Sequence, residues 1–194
     1  MHGTGDVRFF DRIAGLYDLA MASADREPLA AGLAYADRPV EEVLDVGGGT
    51  GRAARALGDD VETVVVDRSR GMLREARGRG LQTVQADARR LPFSDESADA
   101  VTVVDAFHHM PAHGRVLAEV ARVLRPGGVL VIREFDPTTL PGKALVAAER
   151  LVGFGSTFET PESLAAAVRS VGLRSAVPEG GFGYTVVGVK GTSK

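Results

Sequence analysis

From Glu42 onward the chain alternates short apolar runs with stretches in which apolar side chains return every three or four positions. The runs are Glu42–Val46, Glu62–Asp67 with Thr63, Val64, Val65 and Val66 at its centre, Leu81–Ala86, Ala98–Val104 and Val129–Phe135; their length and β-branched content predict strands. Between them, Arg52–Leu57, the Met72, Leu73, Ala76 set and the Val116, Leu117, Val120, Leu124 set predict helices. Ser69 stands where an N-cap would open the second of these, and Arg125-Pro126-Gly127-Gly128 stops the third. Beyond Phe135, Leu145–Phe154 reads as helical, and Thr160-Pro161 opens another helix with Glu162 and Ser163 in its first turn. Two closing strands, Leu173–Val177 and Tyr184–Lys190, are separated by Gly180, Gly181 and Gly183. Ahead of all this, Phe10, Ile13, Tyr17 and Met21 recur at helical spacing and predict an amphipathic helix outside the first strand.

Strands alternating with helices pair in parallel, and right-handed crossovers restrict the result to a doubly wound α/β fold. The expected architecture is a mostly parallel seven-stranded sheet with helices on both faces, whose ligands bind at the carboxyl ends of the strands. A length of 194 residues with 44% hydrophobic content suits one domain with one substantial core. Within it we expect a helical cap over residues 1–38, a cofactor-binding half over 39–135 and an acceptor-side half over 136–194. The net charge of -3 leaves no basic excess for a phosphate backbone or an anionic membrane. Nucleic acid is therefore not expected as a partner. Without cysteine, disulfides and thiolate metal sites are excluded. Met1–Arg12 carries charges and no apolar core of a signal peptide, and no run reaches the length of a membrane span, so a cytoplasmic protein without stable membrane insertion, as monomer or homodimer, is expected.

The first strand runs directly into Gly47-Gly48-Gly49-Thr50-Gly51 ahead of a helix. Glycines in that context permit a tight turn and let a ligand approach the backbone. Gly49, Gly51 and Ala54 also satisfy the dinucleotide pattern, and Asp67 lies near the distance expected of a ribose-binding carboxylate. Adenosyl cofactor and NAD both contain that ribose, so this turn leaves the two open. Against an oxidoreductase, no Tyr-x-x-x-Lys pair occurs, and all lysines stand at Lys143 or later.

Taken in order, Asp45-Val46-Gly47-Gly48-Gly49-Thr50-Gly51, Asp67 with Ser69-Arg70-Gly71-Met72-Leu73, Gln85-Ala86-Asp87-Ala88 with Leu91-Pro92-Phe93, and Leu124-Arg125-Pro126-Gly127-Gly128 resemble the class I S-adenosylmethionine-dependent methyltransferases, especially the group with the quinone-biosynthesis C-methyltransferases. Phe10-Asp11-Arg12-Ile13-Ala14 with Tyr17-Asp18 is similar to the family's opening helix. The resemblance covers Val43 to Phe135 and is loose in the last third. It implies the Rossmann-like methyltransferase fold and S-adenosylmethionine as cofactor. By position, Asp45 and the backbone of Gly47, Gly49 and Gly51 would hold the methionine portion, Asp67 the ribose hydroxyls, and Asp87 the adenine amine between Met72 and Ala88. Asp105, at the end of the fourth strand, and Tyr17, in the opening helix, are further cofactor contacts implied by the family. The ammonium, hydroxyls and amine of such a cofactor are donors, which suits three carboxylates.

His108, His109 and His113 cluster just past the fourth strand. His109 and His113 are four apart, but Pro111 interrupts a helix between them and no third ligand is evident, so no metal is expected. His108 or His109 is instead a candidate general base toward an acceptor proton, beside the plainer reading of structural histidines. Glu134-Phe135 resembles the end of the family's fifth strand, though Asp136-Pro137 departs from it. Phe9, Phe10, Leu140, Leu145, Phe154 and Phe158 could line a pocket for a small hydrophobic or aromatic acceptor. Methyl transfer to its carbon or oxygen is the expected activity, with an NAD-dependent oxidoreductase and a non-catalytic cofactor binder as alternatives. Asp105-Ala106-Phe107-His108 is unlike the Asn/Asp-Pro-Pro-Tyr/Phe sequence with which amine-methylating DNA enzymes hold a flipped base.

Overall fold

The computed structural model describes Phe10, Asp11, Ala14 and residues 24–192. Helix α1 (Arg26–Leu33) precedes β1 (Glu42–Val46), α2 (Arg52–Leu57), β2 (Glu62–Asp67), α3 (Arg70–Gly78), β3 (Gln82–Gln85) and β4 (Ala98–Val104). A short 3-10 turn (Phe107–His109) leads to α4 (His113–Val123), β5 (Leu124–Phe135), α5 (Leu140–Val152), α6 (Pro161–Ser170), β6 (Leu173–Glu179) and β7 (Gly183–Lys190). One seven-stranded sheet has the order β3-β2-β1-β4-β5-β7-β6. The first five strands run parallel, and the β6–β7 hairpin adds antiparallel to the edge of β5. Strand order reverses beside β1, so β1 and β4 diverge into a crevice at their carboxyl ends.

Side-chain alternation places one half of each strand in each core. Leu44, Val46, Val101, Val103, Leu130 and Ile132 pack under Val116, Leu117 and Val120 of α4 and Leu164 and Val168 of α6. Their neighbours Val43, Ala100, Val104, Val129 and Val131 face Leu29 of α1 and Ala53 and Leu57 of α2. Burial on both faces is why these strands read as unbroken apolar runs. Gly32 of α1 lies so close to the sheet that a Cβ there would meet Val131 Cγ1 at 2.6 Å.

Caps sit where sequence placed two of them: Ser69 Oγ accepts from Met72 N and Thr160 Oγ1 from Ser163 N. Several bounds differ from the periodicity. Strand β5 begins at Leu124 because its Cα partner is Ala98, before a register shift to Ala100↔Val129; pairing across the sheet, invisible locally, recruits the Arg-Pro-Gly-Gly stretch. Helix α5 starts at Leu140, capped by Thr139, whose Oγ1 accepts from Gly142 N at 3.1 Å, and it stops at Gly153 in the left-handed region. Strand β6 extends to Glu179 and carries Pro178, which an edge strand tolerates.

Candidate active site

The turn after β1 is built by backbone conformation. Gly47, Gly49 and Gly51 all have positive φ (72°, 56° and 81°), which favours glycine. A Cβ on Gly47 would meet Met110 Cε at 2.7 Å and Ala106 Cβ at 2.9 Å, and one on Gly51 would strike Leu81. The amides of Gly47 and Gly48 donate to Val66 O, which ties the turn to β2. The cavity above it is lined by Asp45, Gly47–Gly49 and Arg52 from the turn, by Asp67 and Met72 from the second strand–helix unit, and by Ala88, Asp105, His109 and Phe10 around the opposite rim.

Asp45 is completely buried. Its Oδ1 accepts from Thr102 Oγ1 at 3.1 Å, while Oδ2, with the Ala54 amide nearby, makes no hydrogen bond among the described residues. Burial, against the Thr102 hydrogen bond and with the nearby Asp67 charge, pushes its carboxyl up to about 6. Asp67 accepts from Ser69 N at 2.7 Å and Gly49 N at 3.0 Å; burial raises its pKa while those amides oppose the rise. Two acceptor carboxylates thus stand at adjacent strand ends, one of them with an orphaned oxygen.

The Asp45 shift has a measurable consequence. A carboxyl whose folded pKa lies above its unfolded value stabilises the fold fully below the unfolded pKa and loses that stabilisation as pH rises through the folded one. Ligand-free protein should therefore lose on the order of 2–3 kcal/mol from this group between about pH 4 and pH 6. Urea unfolding across that window should show the decline in the wild type and its absence in Asp45→Asn; parallel pH profiles would contradict the assignment.

Asp105 follows β4 directly and lies in the left-handed region (φ 51°), uncommon for a non-glycine residue. Its carboxylate pairs with Arg52 at 2.8 Å, both side chains mostly buried. Burial raises the Asp105 pKa, opposed by Arg52. Sequence reading overlooked Arg52, although a cation in the first turn of a helix, unfavourable toward the helix dipole, is a signal that something else holds it.

Other placements differ from expectation. Asp87 does not line the cavity, because Arg89 two residues on takes both of its oxygens, Nε to Oδ1 at 2.9 Å and Nη2 to Oδ2 at 2.6 Å. That hydrogen-bonded pairing holds the Asp87 carboxyl down to about 2. Met72 and Ala88 do face the cavity, whereas Gly51 closes the turn beneath it. Tyr17 and Phe9 lie outside the described residues. Leu140 is 83% exposed at the start of α5 and is not among the residues lining this cavity.

The structure separates the two histidines that sequence treated as equivalent. His109 lines the cavity; His108 lies behind it, 4% exposed. Glu134 Oε1 accepts from the His108 backbone N–H at 3.2 Å and Oε2 meets its Nδ1 at 2.7 Å. On the other side His108 Nε2 is 3.4 Å from Glu149 Oε1, and Phe158 stacks on the ring. Burial favours the neutral ring, but Glu134 and Glu149 outweigh it and lift His108 to about 10. His109 is held down to about 4 by burial and by the charge of His108. Phe10 and Phe154 meet its ring edge-on, and Ser156 Oγ lies 3.0 Å from its Nδ1. The loop that carries Ser156 is anchored by Thr157 N donating to His108 O. His113 turns away to Glu159 and the Phe107 carbonyl. Glu149 was not foreseen, because it reaches the histidines from α5, far along the chain.

Residues 44–132 match the methyltransferase domain family model. The demethylmenaquinone methyltransferase of Beutenbergia cavernae is 41% identical over 83% of this chain and 68% of its own length. The ubiquinone/menaquinone biosynthesis C-methyltransferase of Bordetella parapertussis is 41% identical over 54% of this chain and 44% of its own. The chain thus spans about two thirds of the first relative's length and less than half of the second's. The fold matches the crystal structure of a SAM-dependent methyltransferase from Thermotoga maritima with a TM-score of 0.76 at 23% identity, covering 94% of this chain and 98% of that one. With the glycine turn and its flanking carboxylates at the strand ends, these similarities establish that the chain belongs to the S-adenosylmethionine-dependent methyltransferases of class I, in the group with the quinone-biosynthesis C-methyltransferases.

Proposed function

We propose that this chain binds S-adenosylmethionine in the cavity over β1, β2 and β4 and transfers its methyl group to carbon or oxygen of a small aromatic acceptor, a quinone-like ring being the class named by its relatives. The observation that carries the reading is the buried, unpartnered Oδ2 of Asp45 beside the glycine turn. A buried carboxylate oxygen without a donor is costly, and a ligand ammonium would relieve it. Arg52 and Asp105 add a cation and an anion on the same wall, the pairing an α-amino acid end would engage. Asp67, already shaped by two amides, keeps acceptor capacity for ribose hydroxyls, and Met72 and Ala88 offer apolar walls for a purine.

When bound, the cofactor supplies an electrophilic sulfonium methyl group. The chain's own task is then to align a nucleophile and keep water out. Phe10 and His109 line one side of the cavity, where an acceptor ring would lie, and Phe154 packs against both. His109 is the histidine that lines the cavity and would face an acceptor oxygen, and His108, fixed by Glu134, packs against it.

The test is turnover: purified chain, methyl-labelled S-adenosylmethionine and a panel of quinols and phenols. Acceptor-dependent formation of S-adenosylhomocysteine with label in the ring product is expected, with His109→Ala reduced about 10²–10⁴-fold in kcat. Saturable cofactor binding without transfer to any of the panel would leave a binding protein and defeat the proposal.

A further inference from the structure

We propose that His108, His109 and Glu149 form a binding site for one divalent first-row transition-metal ion at the acceptor end of the cavity. The candidate ligand atoms of these three side chains lie within 4.8 Å of one another. Both imidazole Nε2 atoms face one carboxylate oxygen, Glu149 Oε1, at 3.4 Å from His108 and 4.0 Å from His109. Ligand atoms about 2.1 Å from a four-coordinate ion stand about 3.4 Å apart, so the His108–Glu149 edge already has the required length and His109 needs only a small rotation.

What sets the cluster apart from an ordinary ion-pair network is the occupancy of the remaining atoms. Each Nδ1 has its own partner, Glu134 for His108 and Ser156 for His109. That arrangement fixes the rings with their Nε2 atoms convergent on Glu149, so that the ion would take the place of the Nε2 proton of His108, as in carboxylate-supported histidine ligands. The second oxygen of Glu149 is buried and makes no hydrogen bond among the described residues, with Ser156 the nearby donor, and an adjacent cation would satisfy it. Two imidazoles and one carboxylate suit zinc, cobalt or iron better than magnesium or calcium, which favour all-oxygen sites. Three protein ligands leave a coordination position open, and His109 is the ligand that also lines the cavity. An acceptor oxygen could occupy that position, which makes the ion a Lewis acid for the group being methylated.

The inference does not depend on the acceptor, because the ion is measured directly. The untagged chain is stripped with chelator and titrated with zinc by calorimetry and with cobalt by visible absorption. One ion per chain is expected, with the intense visible bands of low-coordinate cobalt. Glu149→Gln and His109→Asn should each abolish resolvable binding. Ser156→Ala, which removes only an outer partner of His109, should weaken it about 10-fold or more. Circular dichroism and thermal melting establish that each variant is folded; should Glu149→Gln fail to fold, His109→Asn and Ser156→Ala decide. Absence of saturable binding to the wild type, or wild-type affinity in the folded variants, would overturn the site while leaving methyl transfer to its own assay.

Discussion

Asp67→Ala is expected to weaken S-adenosylmethionine and S-adenosylhomocysteine binding about 100-fold, with the protein still folded. The carboxylate would accept from two ribose hydroxyls, and hydrogen bonds to a charged acceptor contribute about 1.5–3 kcal/mol each, so about 3 kcal/mol of affinity is a conservative loss. The same substitution frees the amides of Gly49 and Ser69, which loosens the turn and adds to the loss. Asp87→Asn gives the contrast. Because Arg89 already occupies both oxygens of the Asp87 carboxylate, affinity should change no more than about threefold, less than 1 kcal/mol. Calorimetric titration of the two variants side by side separates the roles, and equal losses would place the adenine edge on Asp87 after all.

Glu134→Ala should be the most destabilising single change around the site, at about 3–5 kcal/mol. Glu134 and His108 are both nearly sealed from solvent, and the carboxylate satisfies the His108 ring and its backbone N–H together. Its removal leaves a buried imidazole facing Glu149 alone. At two to four degrees per kcal/mol for a chain of this size, Tm should fall by about 10 °C. Glu179→Ala removes a partner of Arg133 that is 41% exposed, and its loss should cost no more than about 1 kcal/mol. A double change, Glu134→Leu with His108→Phe, should recover much of the stability, since replacing both members of a buried pair by apolar groups is often neutral. If Glu134→Ala melts within a degree or two of wild type, the pair is not the anchor its geometry implies.

The sheet was legible because its central strands are covered on both faces and so announce themselves as continuous apolar runs. Ala98–Val104, buried at every position, is the clearest case. The glycine turn was legible for a different reason: its backbone needs positive φ, and glycine is the residue that supplies it. The start of β5 escaped because Leu124 is made a strand residue by Ala98 across the sheet, a partner that no local period reports. Asp87 was placed by analogy with the family and is engaged instead by Arg89, a residue particular to this stretch of chain. The histidines were found by sequence, but their inequivalence was not. It arises from Glu134 on β5 and Glu149 on α5, which the topology brings to opposite sides of His108. Long-range juxtaposition of this kind also hid Arg52, whose partner Asp105 lies one strand away across the crevice.

The acidic strand ends of the crevice are expected to recognise the adenosyl cofactor. Isothermal titration of the ligand-free wild type with S-adenosylhomocysteine and with NAD tests it most directly. Saturable one-to-one binding of S-adenosylhomocysteine is expected and none of NAD, whose pyrophosphate would face Asp45 and Asp67. Binding of NAD with no affinity for the adenosyl ligand would contradict it.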